Sequence, residues 1–245
     1  MQSKKEQEIQ SQKPQKHEFD NFADDYSGIL DESISFSGER SSFFIELKIK
    51  LLHNYIRKEL GIKDDLKILD YGCGTGRSAE FVNKYFPNST FTGVDPSSKS
   101  INVAKKRFGN KKNEFMTLNN KIKLKENCYD VVFSAVTFHH IPIDKRDAAL
   151  KSIHTSLKQD SIFVLFEHNP YNPLIVKIVK DCPLDKNAIL LKLPYSKRLL
   201  RKADFKIVKS CYYFFFPKCL SFLRFFEKYI QFLPLGGQYM LIGRK

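Results

Sequence analysis

Asp70, Gly72, Gly74, Gly76 and Asp95 are the residues of this chain whose types and spacing most clearly imply chemistry. Glycines at three alternate positions allow a tight turn whose backbone can approach a ligand where any side chain would collide. They follow an apolar run, Leu66-Lys67-Ile68-Leu69, that reads as a buried strand, and Asp95 closes a second strand running from Thr90. A carboxylate at a strand tip is placed to hold the two hydroxyls of a ribose. The spacing is not the G-x-G-x-x-G that seats a pyrophosphate on a helix N-terminus. Asp70, two residues ahead of the first glycine, would repel a pyrophosphate but accept a hydrogen bond from an ammonium group. The pattern describes a site for a nucleoside-containing cofactor with a cationic amino-acid end. Cys73 reads as a small apolar residue inside the turn.

A second set of polar residues falls where later strands should end. Tyr129–Ala135 is a valine-rich strand followed by Phe138, His139 and His140, and Ile162–Glu167 is followed by His168, Asn169, Pro170 and Tyr171. Ligands of open α/β sheets sit beyond the carboxyl ends of the strands, so these segments should meet the glycine turn. Imidazole is the side chain whose unperturbed pKa falls nearest neutrality, which makes His140 or His168 the candidate general base. His139 points the other way if the segment stays extended, and is expected to fix the loop or touch the cofactor; it is grouped with the substrate-binding residues. Asn169 and Tyr171 are assigned to the substrate cleft, with helix capping as the structural alternative for Asn169. The remaining histidines, His17, His53 and His154, lack partners at informative spacing. Spacing along the chain suggests no set of metal ligands.

LDYGCGTGR and the GVD that follows closely resemble the first two motifs of class I S-adenosylmethionine-dependent methyltransferases, and YDVVFSAVTFHHIP (129–142) is similar to their fourth-strand motif. The resemblance covers roughly residues 42–210, and more loosely the tail to Arg244. It implies an α/β, Rossmann-like, doubly wound sheet of seven mostly parallel strands in the order 3-2-1-4-5-7-6, the last antiparallel. It also implies S-adenosylmethionine as cofactor, with Asp70, Gly72, Cys73, Gly74 and Gly76 beside its methionine part and Asp95 on its ribose. Pro96 and Ser97 would then border the adenine. Ala135, at the end of the fourth strand, falls on the cofactor side. The family often has an acid after strand three; here Met116-Thr117-Leu118-Asn119 offers none, which leaves that contact to Asn119 or backbone. An N-terminal segment with a tyrosine often folds over the cofactor in small-molecule members, a role that falls to Tyr26.

Local patterning supplies the elements that would hold these groups. Apolar residues at helical spacing mark a helix over 40–60, and strands alternate with helices through most of the remaining length, as a doubly wound sheet requires. The expected organisation is a disordered lead at 1–16, a helical cover at 17–60 and a methyltransferase domain at 61–245 with an aromatic-rich insertion near 211–234. Phe222, Phe226, Tyr229 and Leu233 would share one helical face there, serving as an active-site cover, a dimer surface or a peripheral membrane contact. Five cysteines without C-x-x-C spacing, and no apolar export segment, suggest a reducing cytoplasm or the inner face of a membrane. Within 245 residues the net charge of +14 is spread over several elements and accompanies no nucleic-acid-binding module. Methyl transfer to a small-molecule, glycan or lipid-linked acceptor, at oxygen where a histidine acts as base, is therefore the leading expectation. RNA methylation and a non-catalytic cofactor-binding subunit are the alternatives, and the chain is expected to be a monomer or homodimer.

Overall fold

A computed structural model of the chain describes residues 26–61, 65–118 and 124–245. The expected lead, the first part of the expected cover (17–25) with His17, the side chain of Tyr26 and Asn119 lie outside the described residues. Two helices, α1 (Tyr26–Ser33) and α2 (Ser41–Glu59), precede the sheet. Then come β1 (Lys67–Tyr71), α3 (Ser78–Tyr85), β2 (Thr90–Asp95), α4 (Ser98–Phe108), β3 (Asn113–Thr117) and β4 (Tyr129–Ala135). The second half holds α5 (Ile143–Ser156), β5 (Leu157–His168), α6 (Pro173–Asp181), α7 (Leu193–Lys202), β6 (Lys206–Tyr213), α8 (Glu227–Ile230) and β7 (Gln238–Arg244).

The strands form one seven-stranded sheet in the order β3-β2-β1-β4-β5-β7-β6, as the sequence motifs imply. The first five run parallel, and β7 inserts antiparallel between β5 and β6. Each central strand is apolar on both faces. Ile68, Val131, Phe133, Val164 and Phe166 enter one core with α2, α3 and α4, while Leu69, Val132, Phe163 and Leu165 enter the other with α5 and α7. Period-two alternation inside continuous apolar runs is what a parallel sheet covered on both sides demands.

Local signals set the helix starts. Ser97 caps α4 by accepting the Ser100 N–H at 3.0 Å, and Asn172 caps α6 by accepting from Leu174 and Ile175. The start of α2 is tied to α1 and to the segment after the glycine turn: Asp31 Oδ1 accepts the Ser41 N–H at 2.6 Å, and Arg77 donates to Ser41 Oγ at 2.9 Å.

The aromatic segment departs from expectation. After β6 the chain forms a 3-10 turn over Lys218–Phe226, with Leu220 outside helical backbone values, and only then the single turn of α8. Its polar side faces inward. Glu227 accepts N–H groups of Phe214, Phe215 and Phe216, while Arg224 pairs with Glu39 at 3.0 Å and stacks 4.8 Å from the Phe43 ring centre. Phe222 and Phe232 are 67% and 75% exposed, so the aromatic face is turned outward and does not serve as a buried cover in this structure. Among the described residues no helix is long and apolar enough to cross a membrane.

Candidate active site

The glycine turn leaves the carboxyl end of β1 and is pinned to β2 by Gly72 and Cys73, whose N–H groups both reach the Val94 carbonyl, at 2.8 and 3.0 Å. Gly72, Gly74 and Gly76 all have positive φ, at +87°, +52° and +77°. A Cβ on Gly72 would lie 2.2 Å from Thr137 Cγ2, and one on Gly76 would strike Phe115 and Ala104. A Cβ on Gly74 would meet nothing within 4 Å. The first and third glycines are therefore needed for packing, and the middle one faces open space. Cys73 is buried, and burial pushes its thiol well above the ordinary range, the state of an inert packing residue.

Asp95 closes the other side. Its Oδ2 accepts the Gly74 N–H and its Oδ1 the Ser97 N–H, each at 2.9 Å. Asp70 is buried on the opposite flank, where its Oδ2 accepts the Ser78 hydroxyl. Its other oxygen, Oδ1, is buried with no hydrogen-bond partner. Burial, with the nearby Asp95 charge adding to it and Ser78 opposing, raises the Asp70 carboxyl to about 7. An orphaned carboxylate oxygen calls for a cationic donor. That need and the open cradle over Gly74 both fit the ammonium end of S-adenosylmethionine.

The second half of the site is a shell of histidines and carboxylates. β4 ends at Ala135, and Val136 takes a positive φ of +57°, costly for a β-branched residue, which turns the chain aside into the Phe138–His140 turn. Thr137 joins this turn to the glycine loop by donating from Oγ1 to the Gly72 carbonyl at 3.2 Å. Glu167, fully buried near the end of β5, accepts the Thr137 and Phe138 N–H groups on Oε1. Its Oε2 lies 2.7 Å from His139 Nδ1. Burial alone would raise Glu167, but the charge of His139 and its hydrogen bond outweigh it and hold the carboxylate ionised.

Asp185 completes the shell from the turn after α6. Its Oδ1 lies 3.3 Å from His139 Nε2 and 3.2 Å from His140 Nε2. The segment is held in place by Ile189 N–H donating to the His139 carbonyl and by Arg146, which bonds the Ile141 and Ile189 carbonyls from a buried position. Desolvation opposes the charge of His139, but Glu167 and Asp185 prevail and lift it to about 9. Burial would raise Asp185 too, yet hydrogen bonds from His139 and His140 drive its carboxyl well below the usual range. His168, whose ring centre is 5.4 Å from that of His139, is pushed down to about 4 by burial and by the His139 charge.

The structure thus brings together Asp70, the glycines and Asp95 on one side, and His139, His140 and His168 on the other. It redirects two residues assigned to substrate. His139 is 1% exposed and has both nitrogens engaged by carboxylates, so it anchors the shell. Asn169 is fully buried, donates to the Pro234 and Gly236 carbonyls and accepts the Tyr171 N–H, which makes it the pin of the loop before β7. Tyr171 is exposed beside the Lys192 ammonium. Pro96 is exposed, Ser97 is fully buried as the α4 cap, and Ala135 is half-buried.

Two residues escaped sequence reasoning. Asp185 lies 46 positions from His139 in an unremarked Cys-Pro-Leu-Asp stretch. Lys48 projects from the otherwise apolar face of α2 and is almost fully buried, donating to the Phe44 carbonyl at 3.3 Å. Burial lowers it to about 7 against the pull of Glu167. A lysine among Leu47, Ile49 and Leu52 was the signal, since buried lysines are rare unless paired.

Asp70 offers a direct test of the first half. A native pKa raised above the unfolded value means ionisation works against the fold: its contribution is fully present below about 4 and is lost as pH rises through about 7. Asp70→Asn should therefore raise the melting temperature of the ligand-free protein at pH 8. It should also weaken S-adenosylmethionine binding by about 10- to 100-fold, through loss of a charged hydrogen bond. Thermal scans and calorimetry read the two effects.

The methyltransferase-domain family matches residues 68–160. A malonyl-[acyl-carrier protein] O-methyltransferase of Bacillus cereus is 25% identical over 210 residues, covering 79% of this chain and 77% of the relative. The ubiquinone/menaquinone biosynthesis C-methyltransferase UbiE of Campylobacter jejuni is 33% identical over 116 residues, covering 44% and 47%. A SAM-dependent methyltransferase structure from Thermotoga maritima superposes with a TM-score of 0.64 at 18% identity, covering 93% of this chain and 98% of that one. With the strand order and the matched domain in agreement, this chain has the class I S-adenosylmethionine-dependent methyltransferase fold and carries a methyltransferase domain over residues 68–160.

Proposed function

We propose that this enzyme methylates a hydroxyl oxygen of a small-molecule, glycan or lipid-linked acceptor, with His140 as general base and Asp185 as its orienter. The observation that carries the reading is the 3.2 Å approach of His140 Nε2 to Asp185 Oδ1 in a shell joined to the glycine loop through Thr137. A carboxylate that accepts a hydrogen bond from Nε2–H leaves the lone pair on Nδ1 and stabilises the imidazolium that forms as the acceptor loses its proton. His168 is the weaker base, because a ring whose pKa falls to about 4 has little affinity for a proton at neutral pH.

On the cofactor side, Asp70 and the Gly72–Gly76 backbone would hold the amino-acid arm, and Asp95 the ribose. Each Asp95 oxygen has two lone-pair sites, so bonding to the Gly74 and Ser97 N–H groups is compatible with that role. Pro96, Ser97, Ala135 and Asn119 would border the remainder, and Tyr26 would contribute from the start of α1. When bound, the cofactor supplies an activated methyl group on its sulfonium; alignment and proton removal are left to the protein.

A carboxyl acceptor is the second reading, favoured by the Bacillus cereus relative, whose name specifies malonyl-acyl-carrier-protein O-methylation. A carboxylate is already ionised at neutral pH and needs no base, so His140 would then only position it. Methyl-labelled cofactor offered with hydroxylated small molecules, sugar nucleotides, acyl thioesters bearing a free carboxyl, and RNA separates the readings. Label in an alkali-stable ether supports the hydroxyl assignment, and label in an alkali-labile ester supports the carboxyl one. Incorporation into RNA alone would overturn both.

A further inference from the structure

We propose that His139, His168 and Asp185 form a binding site for one divalent first-row transition metal ion. One ligand atom from each of the three lies within 4.8 Å of those from the other two. The His139 Nε2–Asp185 Oδ1 separation is 3.3 Å. Ligand atoms about 2.0–2.1 Å from a tetrahedral metal stand about 3.3 Å apart, so this pair already spans one edge of such a site. The half-buried His168 supplies the third ligand atom, within 4.8 Å of the other two.

The outer layer is built as metal sites build it. A ligating imidazole usually gives its second nitrogen to a carboxylate, which fixes tautomer and ring plane. His139 Nδ1 lies 2.7 Å from Glu167 Oε2, and Glu167 is itself anchored by two backbone N–H groups. Nε2 is thereby the nitrogen turned toward Asp185. Glu167 and Asp185 also place two carboxylates about the cluster. Two imidazoles and one carboxylate suit zinc, cobalt, nickel or ferrous iron better than magnesium or calcium, which prefer all-oxygen shells.

Three protein ligands leave at least one coordination position open, as catalytic rather than structural sites do. His140 adjoins the same cluster, its Nε2 3.2 Å from the same Asp185 oxygen. An acceptor hydroxyl or carboxylate could occupy the open position as an oxygen ligand. That consequence rests on the methyl-transfer reading, whereas the metal site rests on the ligand geometry alone.

The test uses the full chain, stripped with a chelator and titrated with Zn2+ against a chromophoric competitor, then with Co2+ as a spectroscopic probe. One equivalent of Zn2+ with a dissociation constant of roughly 1 µM or tighter is expected. Co2+ should give the intense visible bands of four- or five-coordinate nitrogen and oxygen ligation. Asp185→Asn and His168→Gln, each checked by circular dichroism, should weaken Zn2+ binding by about 100-fold, and Glu167→Gln by about 10- to 100-fold. No stoichiometric binding by the wild type would overturn the site. So would binding unchanged in folded Asp185→Asn and His168→Gln proteins, or a thiolate-to-cobalt charge-transfer band in the wild type, which needs no variant. Cofactor affinity measured on the stripped protein reports on the methyltransferase reading separately.

Discussion

Replacing His140 with alanine is expected to lower turnover by about 10²–10⁴-fold, the usual contribution of a positioned base, while calorimetric affinity for S-adenosylmethionine stays close to wild type. The separation follows from position. His140 lies at the end of the β4 turn against Asp185, whereas the groups proposed to hold the cofactor lie on Asp70, the glycine turn and Asp95. Its ring is bonded to a side chain and is not one of the backbone anchors of the shell; those belong to Glu167 and Arg146. Loss of the imidazole should therefore leave the turn in place. A hydroxyl acceptor makes the proton indispensable to the transition state, so kcat should fall with little change in KM. An already ionised acceptor would reduce the loss to less than about tenfold. Unchanged turnover on the preferred acceptor would remove His140 from the chemistry.

The two halves of the site were unequally legible in the sequence. Asp70, the glycines and Asp95 fall within one strand-turn-helix-strand unit, and their roles follow from backbone constraints that only certain residues satisfy. The histidine shell is assembled from the ends of β4 and β5 and the turn after α6, so its contacts depend on tertiary register. The sequence placed His139, His140 and His168 at strand ends but could not show that Asp185 returns to them. It also could not show that Asn169, a polar residue in a promising loop, is consumed by the carbonyls of Pro234 and Gly236.

The aromatic segment was only partly legible, for a different reason. Periodicity of three and four over Phe222–Leu233 suits a helix, but it does not say what the apolar face meets. In the structure, Arg224 and Glu227 make the inward contacts, and this turns Phe222, Phe225, Tyr229 and Phe232 to the surface. The sheet order, by contrast, was implied by the resemblance of the motifs to a known family, while the continuous apolar runs indicated only a sheet covered on both faces.

Gly72 and Gly74 lie two residues apart and should fail in opposite ways. Gly72→Ala adds a Cβ 2.2 Å from Thr137 Cγ2 at a φ of +87°. Thr137 is not free to retreat, since its hydroxyl bonds the Gly72 carbonyl and its N–H bonds Glu167. Strain and overlap together should cost about 2–4 kcal/mol of stability, read as a large fall in melting temperature. Gly74→Leu meets no protein atom within 4 Å at its Cβ, so only the left-handed backbone at +52° opposes it, about 1–2 kcal/mol. Its side chain projects into the cradle proposed for the amino-acid arm. The variant should fold, keep its circular dichroism spectrum and lose S-adenosylmethionine binding by more than about 100-fold, equivalent to about 2.8 kcal/mol. A folded Gly74→Leu protein that bound the cofactor at wild-type affinity would show that the open face of the turn is not where the cofactor lies.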